Sequence, residues 1–343
     1  MKQHLNTLFV TLDEAYLAKQ GEAVLVRVAK ETRLRVPIHT LGGIVCFGRV
    51  GVSPSLMALC GERGVAISLL SGTGRFLAKI DGFTSGNVLL RREQYRRADD
   101  LPAACAIARN MIAAKVANTR GVLMRARRDY PQLAAKPEVE RAVAQLADSV
   151  RVAALANDLD ALRGIEGDAG RVYFDVFDHA IVQQKETMAF RTRSRRPPLD
   201  PVNALLSFLY AMLAHDCRAA CEAVGLDPAV GFLHRDRPGR PGLALDLMEE
   251  FRPVFADRLA LSLINRKQVD IAGFRTSESG AVLMDDATRK AVLIAYQKRK
   301  QEQVIHPFIG ESTSLGLLPH LQARLLARHL RGDLDAYPAF FWK

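Results

Sequence analysis

Short stretches in which apolar and polar residues alternate dominate residues 1–83. A period of two residues is typical of strands that bury one face, so this part of the chain is predicted to be β-rich. One interruption, in which Ser53 and Pro54 precede Leu56 and Cys60, predicts a short helix with a serine cap and a proline in its first turn. The predicted strands cover residues 5–12, 15–18, 23–28, 34–37, 43–47, 65–70 and 76–80.

The pattern changes after Gly86, where apolar residues recur every three or four positions among many alanines. This period is the helical one. The chain is therefore predicted to be of the α+β class, with a β-rich N-terminal domain at residues 1–83, a linker at 84–98 and an all-α domain at 99–343. The predicted helices cover residues 101–128, 138–162, 165–182, 202–224, 243–264, 285–301 and 314–330.

Charge and cysteine content narrow the class of protein. The formal net charge is +11 at pH 7, and a basic chain of this kind favours a polyanionic partner, most commonly nucleic acid. The five cysteines include no CxxC pair and lie mostly in apolar runs, which favours reduced, buried thiols over disulfides or a zinc ribbon. No signal-peptide core follows Met1, and no apolar run approaches the roughly 20 residues of a membrane span. We therefore expect a cytoplasmic protein without a membrane partner.

The stretch around His234 is the first candidate for chemistry. This histidine follows a short apolar segment and precedes a loop rich in Arg, Pro and Gly. The next segment is predicted to be helical and carries Asp246, Glu249 and Glu250, which share one helical face because they are three and four positions apart. A histidine turned towards two carboxylates can hold a divalent metal ion, although an exposed polar surface would show the same pattern.

Arginines are concentrated in two segments. Four of them occur within six residues at 191–196, and the two prolines that follow prevent a helix there. A solvated basic loop would show the same sequence pattern. The net charge of the chain nevertheless favours contacts with DNA phosphates, whose oxygens suit the forked guanidinium of arginine. The candidate DNA-binding residues are Arg191, Arg193, Arg195 and Arg196 in this segment and Arg235, Arg237 and Arg240 beside His234.

Glu166 is the other acid of interest, because Gly164, Gly167 and Gly170 flank it at a spacing of three residues. It is expected in the first turn of a helix, where a glutamate is usually a surface residue favoured by the helix dipole. Glycines form helices poorly and are tolerated where another helix or a ligand must come close. A functional role for Glu166 is therefore the alternative interpretation.

Several short motifs, taken together in their order and spacing, carry a family resemblance over nearly the whole chain. They are Leu5-Asn6-Thr7-Leu8, Val36-Pro37-Ile38-His39-Thr40-Leu41, Gly74-Arg75-Phe76-Leu77, Gly164-Ile165-Glu166-Gly167, Pro201-Val202-Asn203-Ala204-Leu205-Leu206-Ser207, Gly231-Phe232-Leu233-His234 and Leu245-Asp246-Leu247-Met248-Glu249-Glu250-Phe251-Arg252-Pro253. The chain resembles the CRISPR-associated integrases, the larger of the two universal proteins of spacer acquisition.

The resemblance implies an architecture and an activity. Members have an N-terminal β domain and a C-terminal α-helical domain, and the N-terminal domain is expected to mediate homodimer formation. Two dimers flank a dimer of a small ferredoxin-like adaptation protein, which gives a heterohexamer. The assembly inserts short pieces of DNA into a CRISPR array by attack of a DNA 3′-hydroxyl on a phosphodiester, so double-stranded, branched and CRISPR-repeat DNA are the expected substrates.

The resemblance also implies a metal site. The three ligands of the family fall on Glu166, His234 and Glu249, which would be the catalytic residues here, although many members have an aspartate at the last position. Asp246 is expected to support the site, with the opposite assignment of Asp246 and Glu249 left open, and Asn203 to make a buried hydrogen bond nearby. Two carboxylates and one imidazole predict a Mg²⁺ or Mn²⁺ cofactor, with the stronger response to Mn²⁺.

Two other functions remain possible from the sequence. A non-catalytic DNA-binding scaffold could share the fold without needing the three ligands. A helical hydrolase of small phosphorylated substrates would have a metal site but would not bind long DNA in a salt-dependent way.

Overall fold

The computed structural model describes residues 6–72, 76–82 and 88–342. The chain divides into two compact units. The first comprises the described part of Met1–Ser85 together with Leu283–Gln301, and the second the described part of Gly86–Val282 and Glu302–Lys343. The predicted α+β class is confirmed, because strands dominate the N-terminal part and helices the remainder. None of the helices in these ranges is both long and apolar enough to cross a membrane.

The strands and helices follow in chain order. The strands are β1 (Asn6–Val10), β2 (Tyr16–Gln20), β3 (Ala23–Val28), β4 (Glu31–Pro37), β5 (Leu41–Phe47), β6 (Gly51–Val52), β7 (Ala66–Leu70), β8 (Phe76–Ile80), β9 (Phe274–Thr276), β10 (Val282–Met284), β11 (Gln303–Ile305) and β12 (Ser312–Ser314). The α-helices are α1 (Pro54–Arg63), α2 (Val88–Asp99), α3 (Leu101–Asp129), α4 (Pro131–Ala134), α5 (Pro137–Leu155), α6 (Leu159–Phe177), α7 (Pro201–Val224), α8 (Gly242–Glu249), α9 (Arg258–Asn265), α10 (Asp286–Gln301) and α11 (Leu318–Leu330).

The first unit contains two four-stranded sheets. In the sheet ordered β1-β5-β7-β8, the first three strands are parallel and β8 is antiparallel. In the sheet ordered β4-β3-β2-β6, the first three strands form an antiparallel meander and β6 pairs in parallel with β2. Leu17, Val24, Ile44 and Ile67 of the two sheets are buried in one core with Leu56 of α1, as the alternating pattern predicts.

The second unit is organised around α3, a helix of 29 residues. Buried residues from Ala104 to Ala126 occupy most of its circumference, which is typical of a helix enclosed by others. It packs against α5, α6 and α8, and α7 packs against α8 and α11. Two helices that are distant in sequence, α6 and α8, thus meet on α3.

Three predicted helices differ most from the structure in their bounds. The helix predicted over 138–162 ends at Leu155, and α6 begins anew at Leu159, because the Asp158 side chain accepts a hydrogen bond from Ala161 N and caps it. The helix predicted over 165–182 is the later part of α6. The helix predicted over 243–264 changes after Glu249 into a π-helical stretch, Arg252–Asp257, that contains Pro253.

The region predicted as a linker is helical where the structure describes it. Residues 84–87 lie outside the described residues, as do Leu5 and the Gly74-Arg75 part of the motifs, but α2 runs from Val88 to Asp99. Only Leu90 and Gln94 of α2 are buried, so its apolar periodicity is weak. The Gln94 side chain donates hydrogen bonds to the carbonyl oxygens of Asp227 and Val230, each at 2.8 Å.

Candidate functional site

Two glycines allow the segment that carries His234 to lie directly against α8. A Cβ atom on Gly231 would come within 2.6 Å of Asp246 Oδ2 and 2.7 Å of the Gly242 carbonyl carbon. A Cβ atom on Gly242 would come within 2.6 Å of the carbonyl oxygen of Ala229. Because these neighbours are backbone or fully buried groups, both positions require glycine for the close approach.

Asp246 holds this segment from α8. Its carboxylate is fully buried, and Oδ2 accepts hydrogen bonds from Phe232 N at 2.5 Å and Leu233 N at 3.0 Å. Oδ1 accepts from His234 N at 3.0 Å and from His234 Nδ1 at 2.6 Å. Since an ionised carboxylate only accepts, Nδ1 carries a ring proton, which leaves Nε2 as the nitrogen whose lone pair can bind a metal ion. Asp246 therefore orients His234 with both of its own oxygens engaged.

Glu249 is the last residue of α8, and its side chain is 2% exposed. Its Oε1 lies 3.0 Å from Arg252 Nη1 and 3.9 Å from His234 Nε2, and its Oε2 lies 2.6 Å from Lys115 Nζ. Burial raises the pKa of Glu249, but Arg252, Lys115 and His234 outweigh burial and lower the pKa to about 2. The carboxylate therefore keeps its negative charge at neutral pH in spite of its burial.

Glu166 lies seven residues beyond Leu159, the first residue of α6. The expectation that it occupies the first turn is wrong, because α6 begins earlier than the sequence pattern indicates. Its side chain is 29% exposed and forms an ion pair with the Lys115 ammonium. The structure thus brings Glu166 and Glu249 together on one cation.

The glycines around Glu166 face open space rather than a neighbouring helix. A Cβ atom on Gly164, Gly167 or Gly170 would meet no atom within 4 Å, so packing within the chain does not require them. Gly167 and Gly170 line a cavity of about 340 Å³ beside Glu166. The cationic residues that line this cavity are Lys115, Arg171, Arg193, Arg195 and Arg252.

Glu166, Glu249 and His234 are residue types that suit a divalent cation, although Lys115 now lies between the two glutamates. Within residues 6–72, 76–82 and 88–342, no three His, Cys, Asp or Glu side chains are grouped closely enough to hold a metal ion as they stand. Glu249 Oε2 is buried, and the cation it contacts is the Lys115 ammonium at 2.6 Å. Two carboxylates and an imidazole nitrogen form a donor set that suits Mn²⁺ and is acceptable to Mg²⁺.

Tyr210 contacts two arginines, of which Arg252 lies against Glu249. The Tyr210 hydroxyl donates a hydrogen bond to Asp257 Oδ1 at 2.6 Å, and burial raises the pKa of Asp257 to about 6 despite this bond. The guanidinium carbons of Arg193 and Arg252 each lie 5.3 Å from the centre of the Tyr210 ring, within the range of a cation–π contact. Arg252 is therefore fixed between Tyr210 and Glu249.

Asn203 organises the arginine-rich segment 191–196. It is fully buried, and its Oδ1 accepts hydrogen bonds from Arg193 Nη1 at 2.6 Å and Ser194 N at 3.0 Å. Its Nδ2 donates to the carbonyl oxygen of Thr192 at 2.8 Å. Arg193 is turned inward by these contacts, towards Tyr210, and not outward to solvent.

The other candidate DNA-binding arginines differ in how freely they can meet a phosphate. Arg235 forms an ion pair with Asp160 at 2.7 Å, and half-buried Arg240 donates to the carbonyl oxygen of Arg235 at 3.4 Å. An arginine already paired with a carboxylate gains less from a phosphate. The exposed members are Arg191, Arg195, Arg196, Arg235 and Arg237.

Three cationic residues of the site escape the sequence patterns. Arg163 donates to the carbonyl oxygen of Leu233 from Nε at 2.9 Å and Nη2 at 2.7 Å, and so supports the segment before His234. Lys115 is the second, and its signal is a lysine within an apolar stretch of α3. Arg252 is the third, and its signal is the helical spacing of three residues from Glu249.

Comparison with known sequences identifies relatives over the full length. The sequence matches the profile of the family described as "CRISPR associated protein Cas1" over residues 8–298. A protein of Chlorobaculum tepidum named CRISPR-associated endonuclease Cas1 1 is 51% identical over 343 residues, which is 100% of each chain. A protein of Rhodospirillum rubrum named CRISPR-associated endonuclease Cas1 2 is 54% identical over 347 residues, again 100% of each chain.

Solved structures share the fold. A CAS1 protein from Thermotoga maritima superposes with a TM-score of 0.81 at 21% identity, over 95% of this chain and 97% of that one. A casposase bound to its integration product superposes with a TM-score of 0.82 at 22% identity, over 98% of this chain and 94% of that one. At 21% and 22% identity, these superpositions establish a shared fold and nothing about activity.

Proposed function

Because the chain belongs to the CRISPR-associated Cas1 family, we propose that it is a divalent-metal-dependent DNA endonuclease and integrase that inserts short foreign DNA segments into a CRISPR array. Relatives that match it over 100% of its length are named endonucleases. The observation that carries the proposal is the junction of α6 and α8, where Glu166 and Glu249 share one cation within reach of His234. This arrangement places ionised oxygens and an imidazole lone pair around a position that already attracts positive charge.

The proposed reaction is a transesterification at phosphorus. A DNA 3′-hydroxyl attacks a phosphodiester of the recipient DNA, so one P–O bond forms while the bond to the leaving 3′-oxygen breaks, and a proton passes from the attacking to the leaving oxygen. A bound Mg²⁺ or Mn²⁺ ion would draw nucleophile and phosphate together and neutralise the charge that develops. Hydrolysis differs only in that water replaces the 3′-hydroxyl.

The chain's own residues divide this work. Glu166, Glu249 and His234 Nε2 would hold the ion, and Arg252 and Lys115 keep the Glu249 carboxylate ionised. Asp246 orients the imidazole of His234, and four hydrogen-bond donors already engage its oxygens. We therefore assign Glu249 as the ligand and Asp246 as the positioning residue.

The DNA and protein partners are part of the same proposal. The exposed arginines at 191–196 and at 235–237 would contact the DNA backbone of double-stranded, branched and repeat-bearing substrates. The β-rich N-terminal part would form the homodimer, and two dimers would assemble with a dimer of the small ferredoxin-like adaptation protein into a heterohexamer. Light scattering of the protein alone and with this partner would measure both assemblies.

The experiment that tests the function measures strand joining and DNA binding on the same samples. The protein, with and without its small partner, is incubated with a branched or repeat-bearing duplex and Mn²⁺, Mg²⁺ or Zn²⁺. Joined strands are expected with Mn²⁺ and Mg²⁺, and His234→Ala should abolish joining while DNA affinity survives. His39→Ala, at an exposed histidine of the first unit, is the matched control.

Two outcomes would contradict the proposal. Equal loss of joining and of DNA binding in His234→Ala would favour a scaffold, provided that the variant is folded. Joining with Zn²⁺ but with neither Mn²⁺ nor Mg²⁺ would exclude the assigned metal chemistry.

A further inference from the structure

We propose that the Lys115 ammonium is the resident counter-cation of the metal site. It occupies the position between Glu166 and Glu249 until a divalent cation displaces it. By competing for this position, Lys115 lowers the metal affinity of the DNA-free protein. This inference rests on the proposed metal-dependent function and gives Lys115 a role beyond keeping the Glu249 carboxylate ionised. It concerns a third helix, α3, which the metal ligands themselves do not involve.

The position of Lys115 is the first argument. It lies in the middle of α3, the helix on which α6 and α8 meet, and its side chain is 11% exposed. The ammonium forms an ion pair with Glu166 of α6 and lies 2.6 Å from Glu249 Oε2 of α8. A lysine so buried needs paired carboxylates, and here those carboxylates are the two acids assigned as metal ligands.

The charge balance is the second argument. Glu166 and Glu249 carry two negative charges, and Lys115 and Arg252 carry two positive charges in contact with them. The charges of these four groups cancel, and Asp246 contacts His234 as a further carboxylate, so a divalent cation that entered beside Lys115 would add two positive charges to the two already in contact with the glutamates. Release of the ammonium relieves part of that repulsion.

The third argument is that Lys115 can move whereas Arg252 is fixed. Arg252 also contacts Glu249 and lines the same cavity, but its planar guanidinium is held against the Tyr210 ring. Lysine carries a compact charge on a flexible stem, and Lys115 borders the cavity of about 340 Å³. The ammonium therefore has space to withdraw into, and a DNA phosphate in this cavity would be a suitable new counter-ion.

The test is the affinity for Mn²⁺ of the full-length protein without DNA, measured from the electron paramagnetic resonance signal of free Mn²⁺. Lys115→Met should lower the dissociation constant by about tenfold or more, because it removes the competing charge. A purely structural role for Lys115 predicts the opposite change. An unchanged or raised dissociation constant would overturn the inference.

Two matched variants separate occupation of the site from a general loss of positive charge. Arg171→Met removes a cation that lines the same cavity but whose ion pairs are with Asp168 and Asp175, and should change the dissociation constant by less than about threefold. Lys115→Arg keeps the charge and should not tighten binding. If Lys115→Met tightened binding no more than Arg171→Met, Lys115 would not occupy the site.

A measurement on the unmodified sequence covers the case in which Lys115→Met fails to fold. Reductive methylation, followed by mass spectrometry, should label Lys115 slowly without Mn²⁺ and faster with it. The reason is that the displaced side chain no longer lies between Glu166 and Glu249 and is accessible to the reagent. Equal labelling in both states would contradict displacement.

Failure of the inference is distinguishable from failure of the proposed function. If the original sequence binds Mn²⁺ and Glu249→Gln and His234→Ala abolish binding, the metal site stands whatever Lys115→Met does. If none of these proteins, Lys115→Met included, binds Mn²⁺, both proposals fall.

Discussion

Two adjacent residues at the end of α8, Glu249 and Glu250, are both almost fully buried, yet their surroundings are opposite. Glu249 faces cations, and its pKa is lowered to about 2 against the effect of burial. Glu250 faces neutral donors, and burial raises its pKa to about 7. Successive residues on a helix point about 100° apart, so the two carboxylates serve different sides of the same helix.

The Glu250 side is an anchor for the C-terminal segment. Its carboxylate accepts hydrogen bonds from Tyr337 Oη at 2.5 Å, Phe340 N at 2.6 Å and Gln322 Nε2 at 2.9 Å. Asn118 of α3 adds hydrogen bonds to the carbonyl oxygens of Glu250 and Phe340, each at 2.8 Å. Neutral, fully engaged partners of this kind are typical of a structural acid.

The contrast teaches that burial alone does not identify a functional acid. Glu249 differs from Glu250 in that its partners are the positive charges of Lys115 and Arg252. Such a carboxylate is ready to accept a further cation, whereas the carboxylate of Glu250 is not.

Glu249→Gln should reduce strand joining to the assay background, because it removes a charged ligand while preserving shape. Glu250→Gln is the adjacent control and should retain joining within about tenfold of the original protein. Both are measured by single-turnover joining with Mn²⁺ on the same substrate. A larger loss for Glu250→Gln than for Glu249→Gln would reverse the assignment of the two sides.

Asp246→Asn should reduce joining and Mn²⁺ affinity by about 10- to 100-fold, the usual effect of losing the partner that orients a metal-ligating histidine. The amide would also turn an NH₂ group towards backbone donors at Phe232 and Leu233. Asp236→Asn, at an exposed acid of the same loop, is the control. Abolition of joining as complete as in Glu249→Gln would indicate that Asp246 itself is a ligand.

Glu250→Gln should instead change stability and its dependence on pH. The pKa of Glu250 is about 7 in the folded chain and 4.5 ordinarily, so the folded state binds this proton more tightly and the free energy of unfolding falls as pH rises from about 4.5 to about 7. The amide that replaces the carboxyl does not titrate, so the variant should lose that fall while losing about 1–3 kcal/mol of hydrogen bonding at acid pH.

The measurement is denaturant unfolding of both proteins between pH 5 and pH 8. The difference in unfolding free energy should shift in favour of the variant as pH rises. Parallel curves would show that Glu250 is ionised throughout and that the two sides of α8 are electrostatically alike.

Arg195→Ala should have the smallest effect, on DNA affinity and its salt dependence alone. If exposed Arg195 contacts one phosphate, the slope of log affinity against log salt should fall by about 0.9. Arg193→Ala is the informative comparison, because Arg193 is bound to Asn203 and Tyr210. If Arg193→Ala changed the slope of log affinity against log salt as much as Arg195→Ala, Arg193 would contact DNA as well.

Much of the fold follows from local patterns. The hairpin of β2 and β3, the serine cap of α1 and its end at Gly64, with φ of 63°, were all predictable, because each depends on neighbours in sequence. The break between α5 and α6 was not, since alanines and leucines continue the helical period up to Asp158. That error displaced Glu166 within its helix.

The candidate site shows the same division. Residues that belong to motifs, such as His234 and Glu249, could be proposed from the sequence together with the family resemblance. Lys115 could not, because its role depends on α3 meeting α6 and α8, and a lysine in an apolar stretch does not by itself show which groups it will contact. The choice between Asp246 and Glu249 likewise needs the hydrogen bonds that engage Asp246.

The central claim is that Glu166, His234 and Glu249 hold one divalent cation at the place where Lys115 now joins two of them. Crystals grown with Mn²⁺, with diffraction measured at the manganese absorption edge, test it most directly. The account predicts one anomalous peak bonded to both glutamates and to His234 Nε2, with the Lys115 ammonium moved away. A peak bonded to Asp246 or Glu250, or no peak with Lys115 still between the two glutamates, would contradict it.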